Sequence, residues 1–310
     1  MPRPVILVGI DGSTAGLHAL DWAAAEAAAR GWALRLVCCY SLPSFTAASL
    51  DGGYAALDDT AILEGAKAVL ADAAARVAGR GLEVTANVVT GDAAGVLVDL
   101  SREAGLAVVG TRGRGGFADR LLGTVSSALP AHAYCPTVVV PLRGHGRALP
   151  DEEQVPDVQP VRRIVVGIDG SPQAEAALRV AIQEAATWGA ELTAVAGVPI
   201  GAGTGILAWL PASVDHEQIL ADIAEGLNVV VDRELAGRTD VVVKRHALDG
   251  TGAQLLTEFS QATDLIVVGS RGRGGFTGLL LGSTSQAVLH HAECAVMVVT
   301  HRAQALAEAR

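Results

Sequence analysis

One glycine- and arginine-rich stretch occurs twice in the chain, and this repeat constrains the fold more than any other feature. Residues 108–127 read VVGTRGRGGFADRLLGTVSS, and residues 267–286 read VVGSRGRGGFTGLLLGSTSQ. In each copy an apolar run ends in a glycine loop, and a Gly-Thr or Gly-Ser step leads into a helical pattern. A repeat offset of 159 residues is too long for a solenoid and indicates a duplicated domain.

The glycines of the repeat keep the same spacing, with two residues inside the first pair and nine inside the second: Gly110, Gly113 and Gly123, then Gly269, Gly272 and Gly282. Glycine reaches positive φ at low cost and lets backbone N–H groups converge on one point. The helix that follows begins with N–H groups that lack intrahelical partners, and its dipole makes that end positive. This combination predicts a phosphate-binding loop.

Other interpretations of the loop need weighing. A plain turn would also need glycines, but it does not explain why their spacing recurs in both halves. The loop arginines are either solvated side chains or ligand contacts, and they are Arg112, Arg114, Arg271 and Arg273. A Walker A loop needs a lysine that neither copy has. The dinucleotide fingerprint would need a third glycine at Ala118 or Thr277 and fails there.

The Gly-x2-Gly-x9-Gly-Ser/Thr pattern resembles the ATP-binding signature of the universal stress proteins, and the resemblance covers nearly the whole chain. Strand-like and helix-like segments alternate throughout, which favours right-handed βαβ units. We therefore expect an α/β fold with two tandem open five-stranded parallel sheets. The resemblance implies the strand order 3-2-1-4-5, helices on both faces and an architecture like that of adenine nucleotide alpha hydrolases.

Two further pairs of residues follow strands in equivalent places. Asp11 and Asp169 follow the first strand of each half, where ligands bind in open parallel sheets. A turn-forming aspartate that bonds its own backbone is the alternative, whereas the resemblance implies contact with the adenosine part of a nucleotide. The resemblance also places Tyr40 and Val198, at the ends of the second strands, against adenine; both are otherwise core or rim residues.

The predicted ligand is ATP, with any Mg²⁺ held through the phosphates, and the predicted nucleotide-binding residues have equivalents in both halves. In the first half they are Gly9, Asp11, Tyr40, Gly110, Thr111, Arg112, Gly113, Arg114, Gly115, Gly116, Gly123, Thr124, Val125 and Ser126. In the second half they are Gly167, Asp169, Val198, Gly269, Ser270, Arg271, Gly272, Arg273, Gly274, Gly275, Gly282, Ser283, Thr284 and Ser285. No catalytic residue and no protein-ligated metal is predicted.

Composition and length set the domain plan. The 310 residues suggest two domains, which we expect at 1–142 and 163–302. A linker at 143–162 contains three prolines and a charge cluster, and a polar tail follows at 303–310. The net charge of −10 argues against nonspecific nucleic-acid binding.

The expected setting is the cytoplasm. No signal peptide or long apolar stretch is visible, and the four cysteines lack metal-ligand spacing and are expected to be reduced core thiols. In the family, single-domain members dimerise through their last strands, so we expect the two fifth strands to pack within one chain. We also expect the whole chain to form a homodimer and to address a regulatory protein partner.

The second half matches the family pattern more closely than the first. Pro130 interrupts the last helix of the first half, and Gly105 stands where the second half has Asp264. The resulting hypothesis is a regulatory ATP-binding protein in a stress response or growth control. A slow ATPase or nucleotidyl-transfer enzyme, a binder of ADP or cyclic AMP, and a scaffold without ligand stay open as alternatives.

Overall fold

A computed structural model describes residues 4–41, 59–111, 122–142, 157–200, 215–272 and 281–303. Strands and helices alternate in both halves of the chain. The first half contains β1 (Val5–Gly9), α1 (Thr14–Arg30), β2 (Ala33–Tyr40), α2 (Asp59–Val77), β3 (Val84–Thr90), α3 (Ala93–Leu100), β4 (Leu106–Gly110), α4 (Thr124–His132) and β5 (Thr137–Val140). The second half contains β6 (Arg163–Gly167), α5 (Pro172–Trp188), β7 (Glu191–Val198), α6 (His216–Leu235), β8 (Val243–Asp249), α7 (Gly252–Phe259), β9 (Leu265–Gly269), α8 (Ser283–His291) and β10 (Ala295–Val299).

The first helix of each half begins and ends where local chemistry predicts. The Ser13 hydroxyl accepts the Gly16 N–H at 3.0 Å, and the Ser171 hydroxyl accepts the Ala174 N–H at 3.2 Å. These contacts satisfy N–H groups that the first turn leaves open. At the other end of α1, Gly31 adopts φ 66°, the left-handed conformation that ends many helices.

All ten strands form one continuous sheet in the order β3-β2-β1-β4-β5-β10-β9-β6-β7-β8. Each half has the predicted order 3-2-1-4-5 and is parallel throughout. The halves join where β5 and β10 pair antiparallel, with Val139 opposite Val296. The prediction that the fifth strands pack within the chain is confirmed, and the two predicted sheets are thereby fused into one.

Helices cover both faces of this sheet. The face that carries α1, α2, α5 and α6 contains one apolar cluster, which includes Leu20, Leu70, Leu178 and Leu227. The opposite face carries α3, α4, α7 and α8 over a second cluster, which includes Leu97 and Leu289. Because the strands of the two halves run in opposite directions across the β5–β10 joint, their carboxyl ends lie at opposite edges of the sheet.

The structure describes the surroundings of both departures that were singled out in the sequence, at Pro130 and at Gly105. Helix α4 spans nine residues like its counterpart α8, and it continues for two residues past Pro130. Asp264 lies at the amino end of β9, away from the carboxyl edge, and its carboxylate accepts the N–H groups of Arg162 and Arg163 at 2.9 and 2.8 Å. In the first half a Cβ at Gly105 would lie 2.6 Å from the ring of Trp32.

Candidate functional site

The candidate site lies at the carboxyl edge of the second half, between the segments that follow β6 and β9. These two strands pair in parallel, so the segments after them leave the sheet side by side. The base of the glycine loop is closed, because the Gly282 N–H donates to the Ser270 carbonyl at 2.8 Å. The Ser270 N–H in turn donates to the Val299 carbonyl at 2.9 Å, which anchors the loop to β10. The sheet therefore holds both ends of this loop.

Helix α8 starts differently from most helices of the protein. Its N-cap is Gly282, which makes no side-chain cap hydrogen bond, and α4 begins in the same way at Gly123. Side chains cap the other helices whose N-terminal caps are described, and these residues are Ser13, Asp92, Ser171, Asp215 and Thr251. Without a cap, the first N–H groups of α8 can serve another acceptor, and the helix dipole favours an anion.

A cavity of about 430 Å³ opens in front of this helix end. That volume lies within the range of about 300–1,000 Å³ that is usual for small-molecule sites. Predicted residues that line the cavity are Gly167, Asp169, Gly269, Arg271, Gly272, Gly282, Ser283, Thr284 and Ser285. Arg271 is exposed and adds positive charge to the lining. The structure thus brings the carboxylate of Asp169 together with backbone donors, hydroxyls and a guanidinium that lie more than 100 residues later in the chain.

Asp169 combines a local and a distant role. One carboxylate oxygen accepts the Ser171 N–H at 3.0 Å, which is the turn-forming contact considered as an alternative. The other oxygen faces the glycine loop, because a Cβ placed on Gly272 would lie 2.3 Å from it. Asp11 makes the same local contact, accepting the Ser13 N–H at 3.0 Å and the Ser13 hydroxyl at 2.6 Å.

Packing requires some of the motif glycines but not all of them. At Gly110 a Cβ would lie 2.6 Å from the Ala15 carbonyl oxygen, and at Gly269 it would lie 2.9 Å from the Gln173 carbonyl oxygen. Both positions must therefore be glycine for α1 and α5 to pack on the sheet. Gly282 differs, because the nearest atom to its Cβ would be Arg271 Cα at an ordinary 3.4 Å. Packing alone does not demand a glycine there.

The glycines at the ends of the first strands also serve packing. A Cβ at Gly9 would lie 2.9 Å from a methyl group of Leu97, and one at Gly167 would lie 2.8 Å from a methyl group of Leu256. The leucines come from α3 and α7, so these glycines let the two helices approach the sheet closely. Gly167 lines the cavity as well.

Ser126 and Ser285 were predicted as ligand donors, but their hydroxyl groups brace the loop. The Ser285 hydroxyl lies 3.1 Å from the Ser270 carbonyl, and the Ser126 hydroxyl donates to the Thr111 carbonyl at 2.8 Å. Both side chains are buried. Since a hydroxyl has one proton to donate, these side chains hold the helix start against the strand end. Thr124 and Ser283 are exposed at the first helical position and stay candidates for ligand contact.

Tyr40 and Val198 were predicted to lie against the base, and the structure shows which face of the sheet their side chains occupy. Successive side chains along a strand point to opposite faces. In β7, Val195 and Gly197 line the cavity, and Gly197 also lines an adjoining cavity of about 460 Å³ on the α6 side, together with Val198 and Asp169. Tyr40 likewise packs against the cluster that contains α1 and α2. The positions on the candidate-site face are one residue earlier.

Several predicted residues lie outside the described residues, namely Arg112, Gly113, Arg114, Gly115 and Gly116 in the first half and Arg273, Gly274 and Gly275 in the second. In the first half, Gly123 donates its N–H to the Thr111 carbonyl at 2.9 Å. Thr124, Val125 and Ser126 form the first turn of α4, as predicted. The described parts of the two glycine loops are therefore closed in the same way.

Sequence reasoning missed the apolar part of the cavity lining. Val195, Gly197, Gly252, Leu256 and Leu281 line it but were not predicted. Side chains alternate between the two faces of a strand, so Gly197 rather than Val198 would have been predicted to line this cavity if it had been known which face of β7 the cavity adjoins. No local signal marks Leu256, because its position depends on how α7 packs on the sheet.

The remaining reactive side chains do not extend the site. Burial raises the pKa of the Cys294 thiol to about 12, and all four cysteines are free. His290 and His291 occupy the last turn of α8, at the end of the helix away from the loop. Among the described residues, no group of three or more His, Cys, Asp or Glu side chains could hold a metal ion. No helix in the described part of the chain is long and apolar enough to cross a membrane.

Comparison with known proteins agrees with this architecture. The model of the universal stress protein family matches residues 3–141 and again residues 160–300. Universal stress protein Rv1996 of Mycobacterium tuberculosis is 33% identical over 316 residues, covering 94% of each chain. Universal stress protein Rv2005c of the same organism is 34% identical over 301 residues, covering 94% of this chain and 96% of the relative.

A similarity to a solved structure supports the fold independently. The crystal structure of a universal stress protein from Archaeoglobus fulgidus aligns with a TM-score of 0.66 at 20% identity, covering 96% of this chain and 98% of that one. The family model accounts for both halves, and the relatives extend over nearly the whole length. The chain therefore belongs to the universal stress protein family, as a member with two tandem domains.

Proposed function

We propose that this protein binds ATP in the cavity of its second half and that binding regulates its interactions rather than driving a reaction. The observation that carries the proposal is the uncapped start of α8 at Gly282, which faces a cavity of about 430 Å³. Free N–H groups at a helix start and a close-packed glycine backbone are what a polyphosphate needs. Arg271 would add charge to the same end.

The lining of the cavity is the basis for the fit of the nucleotide. The phosphates would lie against the start of α8 and the backbone of Gly272, where a Cβ would strike Asp169. The base would lie against the apolar side chains of Val195 and Leu256. Asp169, which lines the same cavity, would accept a hydrogen bond from a ribose hydroxyl. Mg²⁺ would be held through the phosphates and would neutralise part of their charge.

The lining of the cavity favours holding ATP over consuming it. Among the described residues that line it, Asp169 is the one carboxylate, and no lysine or histidine takes part. Phosphoryl transfer needs a positioned base, bound metal and charge on the transferred group. The proposal includes two domains, at 1–142 and 163–302, joined by a linker at 143–162. It also includes a homodimer in the cytoplasm, whose nucleotide occupancy would regulate binding to a protein partner.

The test is to measure nucleotide on the purified full chain and then to titrate stripped protein with ATP and Mg²⁺. Released nucleotide would be quantified by chromatography after denaturation. We expect ATP on the purified protein and saturable binding on titration. If ADP were the released species and the protein hydrolysed ATP faster than the background rate, the slow-enzyme alternative would be favoured. If cyclic AMP displaced bound ATP at a concentration lower than that of the ATP, the ligand would be cyclic AMP rather than ATP.

A designed variant separates phosphate binding from mere architecture. Gly282 has φ −74° and room for a side chain, so Gly282→Asp is sterically tolerated there. The new carboxylate would cap α8 and repel phosphate, so ATP binding should be lost while the fold keeps its stability. Gly65→Asp, in α2 with open space around its Cβ, is the control for the same charge change. Unchanged ATP binding in Gly282→Asp would contradict the proposal and favour a scaffold.

A further inference from the structure

The two outer strands of the ten-stranded sheet differ in charge. β3 ends the sheet in the first half and β8 ends it in the second, and no strand in the described part of the chain pairs with the outer edge of either. An open edge offers unpaired N–H and C=O groups to any further strand, and proteins commonly guard such edges with charged side chains. The residues along each edge therefore indicate which of the two can accept another strand.

Long charged side chains guard β8. Lys244 and Arg245 are adjacent in the strand, and they form ion pairs with Glu191 at 2.8 Å and with Asp232 at 2.5 Å. His246 follows them and is exposed. A strand that paired with this edge would remove these charged groups from water, and the burial of a charge costs free energy unless the charge stays paired. β8 is therefore a poor partner for a further strand.

β3 has small neutral residues at the same three positions. The registers of the two strands agree, because Val84 and Val243 each lie opposite the second residue of the neighbouring strand. The residues that stand where β8 has Lys244, Arg245 and His246 are Thr85, Ala86 and Asn87. All three are exposed. The whole strand lacks charged residues, and five of its seven residues are β-branched, which favours pairing as a strand.

The joint inside the chain shows which edges pair in this protein. Taken separately, the two five-stranded sheets would present four edges, at β3 and β5 in the first half and at β8 and β10 in the second. The two edges that pair are Thr137–Val140 and Ala295–Val299, which contain no charged residue and run antiparallel. β3 shares this absence of charge, whereas β8 does not.

We infer that a second copy of the chain binds at β3, by antiparallel pairing of the two β3 strands. The inference rests on the homodimer of the proposed function and names its surface. A two-fold axis brings the same edge of both chains together in opposite directions. With the axis at Asn87, the middle of the strand, all seven residues pair, and Ala86 lies opposite Val88 of the second copy. Because β8 is guarded, each chain has one such edge, and the assembly closes at two copies.

Sedimentation equilibrium of the full chain tests the inference. The unaltered protein should have twice the mass of the 31.6 kDa chain. Thr85→Lys combined with Ala86→Arg gives β3 the two cations of β8, but β2 has Ala33 where β7 has Glu191 as a partner for one of them. Like charges from both copies would meet at the interface, so the dissociation constant of the dimer should rise by at least about 10-fold. Circular dichroism checks that this variant is folded.

Two further variants sharpen the test. Ala221→Arg combined with Val229→Lys adds the same charges at exposed positions of α6, at the other end of the sheet, and should leave the dimer intact. The reverse exchange, Lys244→Thr combined with Arg245→Ala, removes the guard of β8 and should produce species larger than the dimer. If no larger species formed, charge would not decide which edge pairs, and the inference would be overturned.

ATP titration of the same proteins separates the inference from nucleotide binding. None of the substituted residues lines the cavity, so ATP affinity should be the same in every variant. A monomeric unaltered chain that binds ATP would overturn the inference and leave the nucleotide site intact. A dimer that survives in folded Thr85→Lys, Ala86→Arg would place the contact on another surface and would also overturn the inference. A dimer that responds to the substitutions but binds no ATP would uphold the inference and contradict the proposed nucleotide site.

Discussion

The first helices of the two halves carry a glutamate at equivalent positions but surround it differently. Glu26 in α1 and Glu184 in α5 are related by the same offset that relates Asp11 to Asp169. Both are buried where the two helices meet beside the β5–β10 joint. Four residues after its glutamate, the first half has Arg30, whereas the second half has Trp188 at the equivalent position. Duplication alone would have placed two identical groups face to face.

The difference resolves a charge problem at the joint. Arg30 contacts both carboxylates, and the Trp188 indole N–H donates to Glu26 at 2.7 Å. One cation serves two acids, and the second oxygen of Glu184 has no hydrogen-bond partner among the described residues. Burial first, and then the neighbouring Glu26, raise the pKa of Glu184 well above its usual range despite Arg30. Glu184 is therefore protonated more readily than an exposed glutamate.

The largest effect is expected when the cation is removed. Arg30→Ala would leave Glu26 and Glu184 buried without a counter-charge, and removing one partner of a buried ion pair costs about 3–5 kcal/mol of unfolding free energy. Urea unfolding of the variant measures this loss. Restoring neutrality with Arg30→Ala, Glu26→Gln and Glu184→Gln together should return part of it. A loss below about 1 kcal/mol for Arg30→Ala would contradict the buried cluster.

Glycines of the two loops offer the next comparison. Gly110→Ala and Gly269→Ala should each destabilise the fold by about 1–3 kcal/mol, because the added methyl group meets backbone of α1 or α5. Gly282→Asp should instead cost no stability and abolish ATP binding. Thermal unfolding alongside ATP titration measures both properties. If Gly269→Ala proved as stable as the unaltered chain, the packing role assigned to that glycine would be wrong.

The pH dependence of stability sharpens the comparison between Glu26 and Glu184. Because the pKa of Glu184 is raised on folding, its contribution is fully present below the unfolded value of about 4.3 and is lost as pH rises through the folded pKa. In that window the slope from one proton is at most about 1.4 kcal/mol per pH unit. Glu184→Gln should flatten this slope in urea titrations at several pH values. An unchanged slope would exclude Glu184 as its source.

The smallest predicted effect lies at the edge of the sheet opposite the second site. Asp264→Ala removes an acceptor of two backbone N–H groups and should cost about 1 kcal/mol of unfolding free energy. ATP affinity should not change, because Asp264 lies at the amino end of β9. Calorimetry with ATP provides this readout, and weakened binding would show that the start of β6 is coupled to the site.

The parts of the site that could be predicted from sequence are those built within one short segment. The helix start at Gly282 depends on neighbours within a few residues, and the structure has it where it was expected. The turn at Asp169 is equally local, and it was weighed as the alternative to a ligand contact. The apolar part of the cavity lining was not predictable in the same way. Val195, Gly197 and Leu256 line one cavity because β7 turns one face to α7.

Taken by itself, the sequence determined the duplication and the alternation of strands and helices, which follow from apolar periodicity, caps and glycines that act over a few residues. The order of the strands within each half was implied by the family resemblance. Only the tertiary structure decided which strand face meets the site and that the two sheets fuse through β5 and β10. It alone also brought Glu26, Arg30 and Glu184 together. Such contacts join residues far apart in the chain, and their energy depends on burial that no local pattern records.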